Sequence, residues 1–371
     1  MNEMFLRGAR RSALAQIRHV APVPPRAAAP DLVGRVYTQV ERDFGMLAPP
    51  IALHAPAPEM LAASWLMLRE TLLATGLAGR AVKEAVGTAV SFGNACPYCV
   101  QVHSTTLAGL GLDAGEAAAL AGGRAEALTD PAVRDIAAWA RACGTRDAGA
   151  AAAAGAIRTA APFPGEQAAE LIGVVVTFHY LNRMVNVFLR ESPFPPSLPA
   201  GARGGLLRLL VKILGPTTRR YREPGGSLGL LPAAPLPTDL AWAAGAAHVA
   251  GAFARAAAAI DAAGAGSVPA AVRDLVHGAL TGWTGEPPGL GMSWVGDAVS
   301  GLPAADRSAG RLALLVAFAS YQVGPSAIEE FRRDHPGDRA LVELASWASM
   351  AAARRVGGWA LAELGQEHAQ R

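Results

Sequence analysis

The sequence predicts an all-α protein built from two helical domains. Three observations carry this: apolar residues recur three and four positions apart along most of the chain, Pro and Gly punctuate the breaks, and no βαβ alternation is found. At 371 residues the chain exceeds the size at which one core keeps growing, so two domains are the default. A hydrophobic content of 51% is ample for sizeable cores, and the mean hydropathy of +0.25 owes much to alanine. No uninterrupted apolar run reaches the length of a bilayer span; Leu240 to Ala254 is short and broken by His248. A soluble protein with no membrane span is expected. A net charge of +3 is too small at this length to indicate steering toward nucleic acid. Three cysteines, two of them close together, suit a reducing compartment, and the cytoplasm is the expected location.

Residues 1–30 carry Arg7, Arg10, Arg11, Arg18 and Arg26 followed by prolines, and read as a loose basic arm without the apolar core of a signal peptide. From Asp31, the stripe Val33, Val36, Val40 and Phe44 predicts a helix that Gly45 stops. A Pro-rich loop holding His54, read as a packed or solvated loop residue, precedes a helix opening at Pro58 with Leu61, Trp65, Leu68 and Leu72 facing a core. A helix from Arg80 to Phe92 stops at Gly93-Asn94. Pro97 suits the first position of the next helix, with Cys96 as its N-cap. Asp113 with Glu116 is a capping-box start for a short helix ending at Gly122-Gly123. Asp130-Pro131 begins another, whose stripe of Val133, Ile136, Ala140 and Cys143 makes Cys143 a core residue. A long helix from Gly165 to Leu189 closes the first domain, 31–190; on it His179 and Arg183 are one turn apart, with Glu170 a possible partner. Residues 191–238 read as a Pro- and Gly-rich linker with one short amphipathic segment, Leu206 to Leu214, and 239–371 as the second domain.

The stretch from Glu84 to His103 concentrates the chemistry. At roughly 100° per residue, Cys96, Cys99 and His103 share one face of a helix, and the hairpin lays Glu84 beside His103. Cysteines at i and i+3 have Cα atoms about 5 Å apart, within reach of a disulfide, so the pair can cycle between dithiol and disulfide. The reactive thiolate is favoured by a positive helix end and a nearby base, a role open to His103 oriented by Glu84. By helix-end proximity alone Cys96 is the nucleophile; by proximity to His103 it is Cys99. The string Cys96-Pro97-Tyr98-Cys99 also matches glutaredoxin active sites, which would need a strand upstream, and a Cys-x-x-Cys with a following His could supply three zinc ligands.

Glu84 twelve positions before Cys96, then C-x-x-C, then His103 four after Cys99, resembles the AhpD-like alkylhydroperoxidases of the carboxymuconolactone decarboxylase superfamily. The resemblance implies a hydroperoxide substrate attacked by Cys99, resolution as a disulfide by Cys96, and a proton relay through Glu84 and His103, with no cofactor or metal. It also implies a dithiol reductant, a lipoylated or thioredoxin-like protein, and a homo-oligomer. Tyr98 departs from the histidine that the best-known members carry between the cysteines. The run His179 to Arg183 is similar, more weakly, to the asparagine-arginine helix of peroxidase-related members.

The second half parallels the first. Ala271 to Val276 matches Ala81 to Val86 with Asp274 opposite Glu84, Gly337 to Ala340 matches Gly165 to Ala168, and Arg355 falls opposite Arg183. Its cysteines are gone, Thr281 to Trp294 standing in their place. The sequence therefore reads as two tandem AhpD-like helical domains, the first a thiol-dependent peroxidase and the second degenerate. The competing functions are a zinc-binding or redox-sensing module without turnover and a decarboxylase-type lyase, which leaves the cysteine pair without a task.

Overall fold

The computed structural model describes residues 3–25, 31–146, 161–193, 220–289 and 291–368. The fold is all-α, and among the described residues no strand forms beyond one isolated bridge, Ile17 to Leu189. Local chemistry sets the boundaries. Helix α1 spans Glu3–Leu14 and α2 spans Leu32–Phe44, where the Asp31 carboxylate accepts from Gly34 N and Gly45 closes the end at φ 92°. After a short α3, Pro49–Ala52, helix α4 runs Pro58–Leu68 and continues as a π turn, Arg69–Leu73. Every residue of α4 from Met60 onward is buried, as a helix apolar on all sides must be.

The hairpin forms as expected: α5 is Arg80–Gly93 and α6 is Pro97–Leu110, with Cys96 at the N-cap. Helices α7, Ala114–Ala121, and α8, Pro131–Ala142, follow. Asp113 caps α7, but Glu116 accepts from Thr129 N rather than closing a capping box. By length and composition alone helix α9, Ala168–Phe188, could cross a membrane, but nearly all of it is enclosed by other helices, as a core helix is. The C-terminal half contributes α10, Ala247–Ser267, α11, Ala270–Thr281, α12, Ser293–Val299, α13, Arg307–Ala319, α14, Pro325–Asp334, and α15, Asp338–His368.

The two halves share their deepest surfaces. Helix α4 lies on α10 and α9 lies on α15, and the buried apolar side chains form one continuous cluster through both halves. Close approach of α9 and α15 depends on Gly357, where a Cβ would stand 2.8 Å from Val176 Cγ2. The segment expected to be a loose arm is helical as α1, because Arg10 reaches Glu41 of α2 at 2.5 Å and Arg18 N donates to Phe188 O at 2.8 Å. Residues 220–231, assigned to the linker, are tied to the first half: Arg222 donates to Asp43 O, and Glu70 accepts from Gly225 N and Ser227. The segment Leu206 to Leu214 lies outside the described residues.

His54 sits in this shared core rather than at the active site. Its Nδ1 donates to Ile51 O at 3.1 Å and its Nε2 accepts from the Tyr180 hydroxyl at 3.0 Å, with Ser346 Oγ 3.1 Å from the same Tyr180 oxygen. Burial lowers its pKa to about 3, and burial with nearby Arg183 lowers that of His179 well below the usual range. Both imidazoles are neutral when folded and gain a proton on unfolding at mildly acidic pH. Stability is therefore expected to fall as pH drops below the unfolded histidine range near 6.5, by roughly 1.4 kcal/mol per pH unit for each group. Urea unfolding at pH 7, 6 and 5 reads this; a flat profile would mean the two rings stay solvated.

Candidate active site

Helix α5 carries Glu84 toward α6 with its side chain fully buried. Its Oε2 accepts from His103 Nδ1 at 2.6 Å, and its Oε1 accepts from Arg80 Nε, one turn earlier on α5, at 2.8 Å. Burial alone would raise the carboxyl pKa, but Arg80 and then His103 outweigh it and hold the group below its ordinary value. Glu84 is thus an anion in a dry setting. With Nδ1–H donated to that anion, the neutral ring of His103 keeps its lone pair on Nε2, the form a base requires.

The imidazole is also held from the side. Phe178 of α9 meets it edge-on, with ring centroids 4.6 Å apart. Phe178 reaches this position because residue 87 is glycine; a Cβ there would lie 2.6 Å from its Cζ.

The cysteines occupy the turn and first coil of α6. Ala95, not Gly93 or Asn94, takes the left-handed conformation, φ 49°, which costs an L-residue about 1 kcal/mol. That turn lets Cys96 N donate to Ser91 O at 3.0 Å and brings Cys96 to the helix mouth. Both cysteines are unbridged and buried, Cys96 at 1% and Cys99 at 4% exposure. Burial and then Cys96 push the Cys99 thiol well above its ordinary pKa, while nearby Asn182 works the other way. Cys99 is therefore a protonated thiol at neutral pH, and any attack by it requires a base at the moment of reaction. His103 stands one turn further along the same helix. Tyr98 is buried alongside, its hydroxyl pKa raised by burial and by both cysteines.

Asn182 and Asn186 of α9 fix the turn. Asn94 Nδ2 donates to Asn182 Oδ1 and Asn182 Nδ2 to Ser91 Oγ, both at 3.0 Å. Asn186 Nδ2 donates to Asn94 O at 3.2 Å and to Ser320 Oγ of the second half at 3.0 Å. The neighbouring His179 and Arg183 do not pair with Glu170. Arg183 Nη1 donates to His179 O at 2.7 Å, Nε donates to Ala317 O, and the guanidinium lies over Trp283, 5.8 Å from its centroid. Burial brings the Arg183 pKa down to about 10.

Glu170 instead meets Lys83 Nζ at 2.7 Å and accepts from Leu77 N and Ala78 N, because α9 places it beside the loop before α5. These donors hold its carboxyl below the ordinary range against burial. Both partners are almost fully buried, so Glu170→Gln leaves an uncompensated cation and is expected to cost about 3–5 kcal/mol in urea unfolding. A loss under about 1 kcal/mol would place the pair in solvent-like surroundings.

Cys143 is buried as a thiol at the end of α8, away from the pair in sequence and outside any disulfide. Among the described residues no three His, Cys, Asp or Glu side chains converge as metal ligands would. In the second half Asp274 is exposed on α11, in contrast to buried Glu84. Sequence reasoning missed Arg80 and Phe178 and named Asn182 only within the run His179 to Arg183. Arg80 had a signal, its i, i+4 spacing from Glu84; Phe178 comes from α9, more than 70 residues away, and had none.

This arrangement, an α-helical hairpin presenting an acid, a dithiol and a histidine, defines a class. Residues 59–142, spanning α4 to α8 and all four polar positions, match the carboxymuconolactone decarboxylase family. The chain is also 37% identical, over 345 residues, to an alkyl hydroperoxide reductase of Mycobacterium tuberculosis, covering 92% of this chain and 94% of that protein. The protein belongs to the carboxymuconolactone decarboxylase family. No solved structure matches it significantly.

Proposed function

We propose that the protein is a thiol-dependent peroxidase that reduces hydroperoxides through Cys99 and Cys96, with Glu84 and His103 relaying protons. The observation that carries this reading is the ionised, buried Glu84 bonded to His103 on the helix that carries two buried, unbridged cysteines at its start. The name of the Mycobacterium tuberculosis relative supports the same class of reaction.

His103 takes the Cys99 proton as the sulfur attacks the distal peroxide oxygen; the O–O bond breaks, and the departing alkoxide receives a proton and leaves as alcohol. Cys99 is then a sulfenic acid. Cys96 attacks its sulfur, water departs, and the Cys96–Cys99 disulfide remains. A dithiol reductant of the lipoylated or thioredoxin-like class returns the pair to thiols by exchange. Glu84 stabilises the imidazolium formed in the first step.

In this reading the C-terminal half is a degenerate, cysteine-free copy that covers the first domain as a second subunit would, and the full chain self-associates in a reducing cytoplasm. Peroxide consumption with dihydrolipoamide, thioredoxin and a low-molecular-weight thiol tests the activity. Mass spectrometry of oxidised protein tests the cycle: a reversible Cys96–Cys99 bridge is expected. A bridge from either residue to Cys143 would sink it.

A further inference from the structure

A cavity of about 720 Å³ opens in the C-terminal half between α11 and α15, within the size range of small-molecule sites. Its lining is cationic and aromatic: Arg273 and His277 from α11, Trp347, Arg355 and Trp359 from α15, and Arg146 beyond α8. Two carboxylates also reach it, Asp239 and Asp261, both bonded to Arg354 at 2.6 and 3.0 Å, so the lining sets four arginines against two carboxylates. Among the described residues, Arg146, Arg273 and Arg355 form no ion pair, so the cavity keeps an uncompensated positive charge.

Two of those cations are held in place without being neutralised. Arg273 Nη1 donates to Gly264 O at 3.0 Å and Val268 O at 2.9 Å; Arg355 Nη2 donates to Thr281 O at 2.8 Å. Carbonyl anchors fix a guanidinium but leave its charge for a ligand. Two lining N–H groups, Arg355 Nε and Trp359 Nε1, find no acceptor among the described residues. The aromatic surfaces stand at the two ends. Trp347, edge-on to His277, and Trp359, with Arg355 5.8 Å from its centroid, are twelve residues apart on α15, about 18 Å along the axis.

In the repeat register that sets Asp274 against Glu84 and Arg355 against Arg183, this cavity is the counterpart of the α5–α9 seam. In the first half that seam is filled where Phe178 packs on Gly87. Loss of the thiol chemistry and opening of the seam thus fall in the same half.

We propose that this cavity is a binding site for a planar aromatic anion, a fused ring bearing one carboxylate, whose acid group rests on Arg355 beside the unpartnered Nε1–H of Trp359 while its ring fills the space between α11 and α15. Ring stacking with arginine and a charge-assisted contact favour such a ligand over a neutral ring or a bare anion.

Calorimetric titration of the full chain with naphthoate, naphthalenemethanol and inorganic phosphate tests this. Naphthoate is expected to bind, and the neutral alcohol and phosphate each to bind about tenfold more weakly or worse. Arg355→Gln is expected to weaken naphthoate by about ten- to hundredfold. Gly358→Leu is the control for folding: Gly358 lines the cavity and a Cβ there meets nothing within 4 Å, so leucine fills the space without disturbing the core. It is expected to abolish binding while the unfolding midpoint stays unchanged or rises. The proposal is overturned by no naphthoate binding at millimolar concentration, by equal affinity for the alcohol, or by full affinity in Gly358→Leu. Binding is read without turnover, so its failure leaves the peroxidase reading standing.

Discussion

Replacing Cys99 with serine is expected to abolish peroxide consumption, whereas Cys96→Ser leaves one reaction that stops at a sulfenic acid on Cys99. The two thiols differ in their surroundings. Cys96 is at the N-cap, nearer the positive end of α6, which by itself favours a thiolate there. Cys99 is pushed toward its protonated form by burial and by Cys96, so it is inert unless a base assists. In the proposed reading that base is His103, one turn away and bonded to Glu84 at 2.6 Å. A protected thiol fired only with base assistance is the behaviour expected of a peroxide-selective nucleophile. Single-turnover kinetics with a sulfenic-acid trap distinguish the two cysteines. Trapping the sulfenic acid on Cys96 in an active Cys99→Ser protein would reverse the order of the steps.

Glu84→Gln is expected to slow peroxide turnover by ~10²–10⁴, the range associated with losing general acid–base help, and to leave the fold intact. The fold survives because Arg80, the partner left behind, is 19% exposed and can turn to water. A charged Glu84 by itself opposes a neighbouring thiolate, so its benefit must pass through His103. Disulfide formation by strong oxidants, which needs no relay, is expected to proceed normally. The matched control is Asp274→Asn on α11, an exposed carboxylate in the half without cysteines, where turnover is expected not to change. Equal effects of the two substitutions, or full activity of Glu84→Gln from pH 6 to 9, would reduce Glu84 to a packing residue.

The sequence by itself determined what depends on neighbours along the chain. Helix limits followed from Asp31, Gly45, Pro58, Pro97 and Asp130, because caps and proline act through the backbone within a turn. The contact of Glu84 with His103 was legible for the same reason: the turn at residues 94–96 fixes the hairpin, and helical rise then sets which positions face each other. Three things only the tertiary structure decided. Glu170 chose Lys83 over Arg183, Phe178 and Asn182 of α9 came to rest on the imidazole and on Cys99, and α4 with α9 merged the core of one half into the other. Each joins elements far apart in sequence, and their register depends on where small residues such as Gly87 and Gly357 let helices approach. Local periodicity records that a helix has a buried face; only the packed molecule settles which distant side chain that face meets.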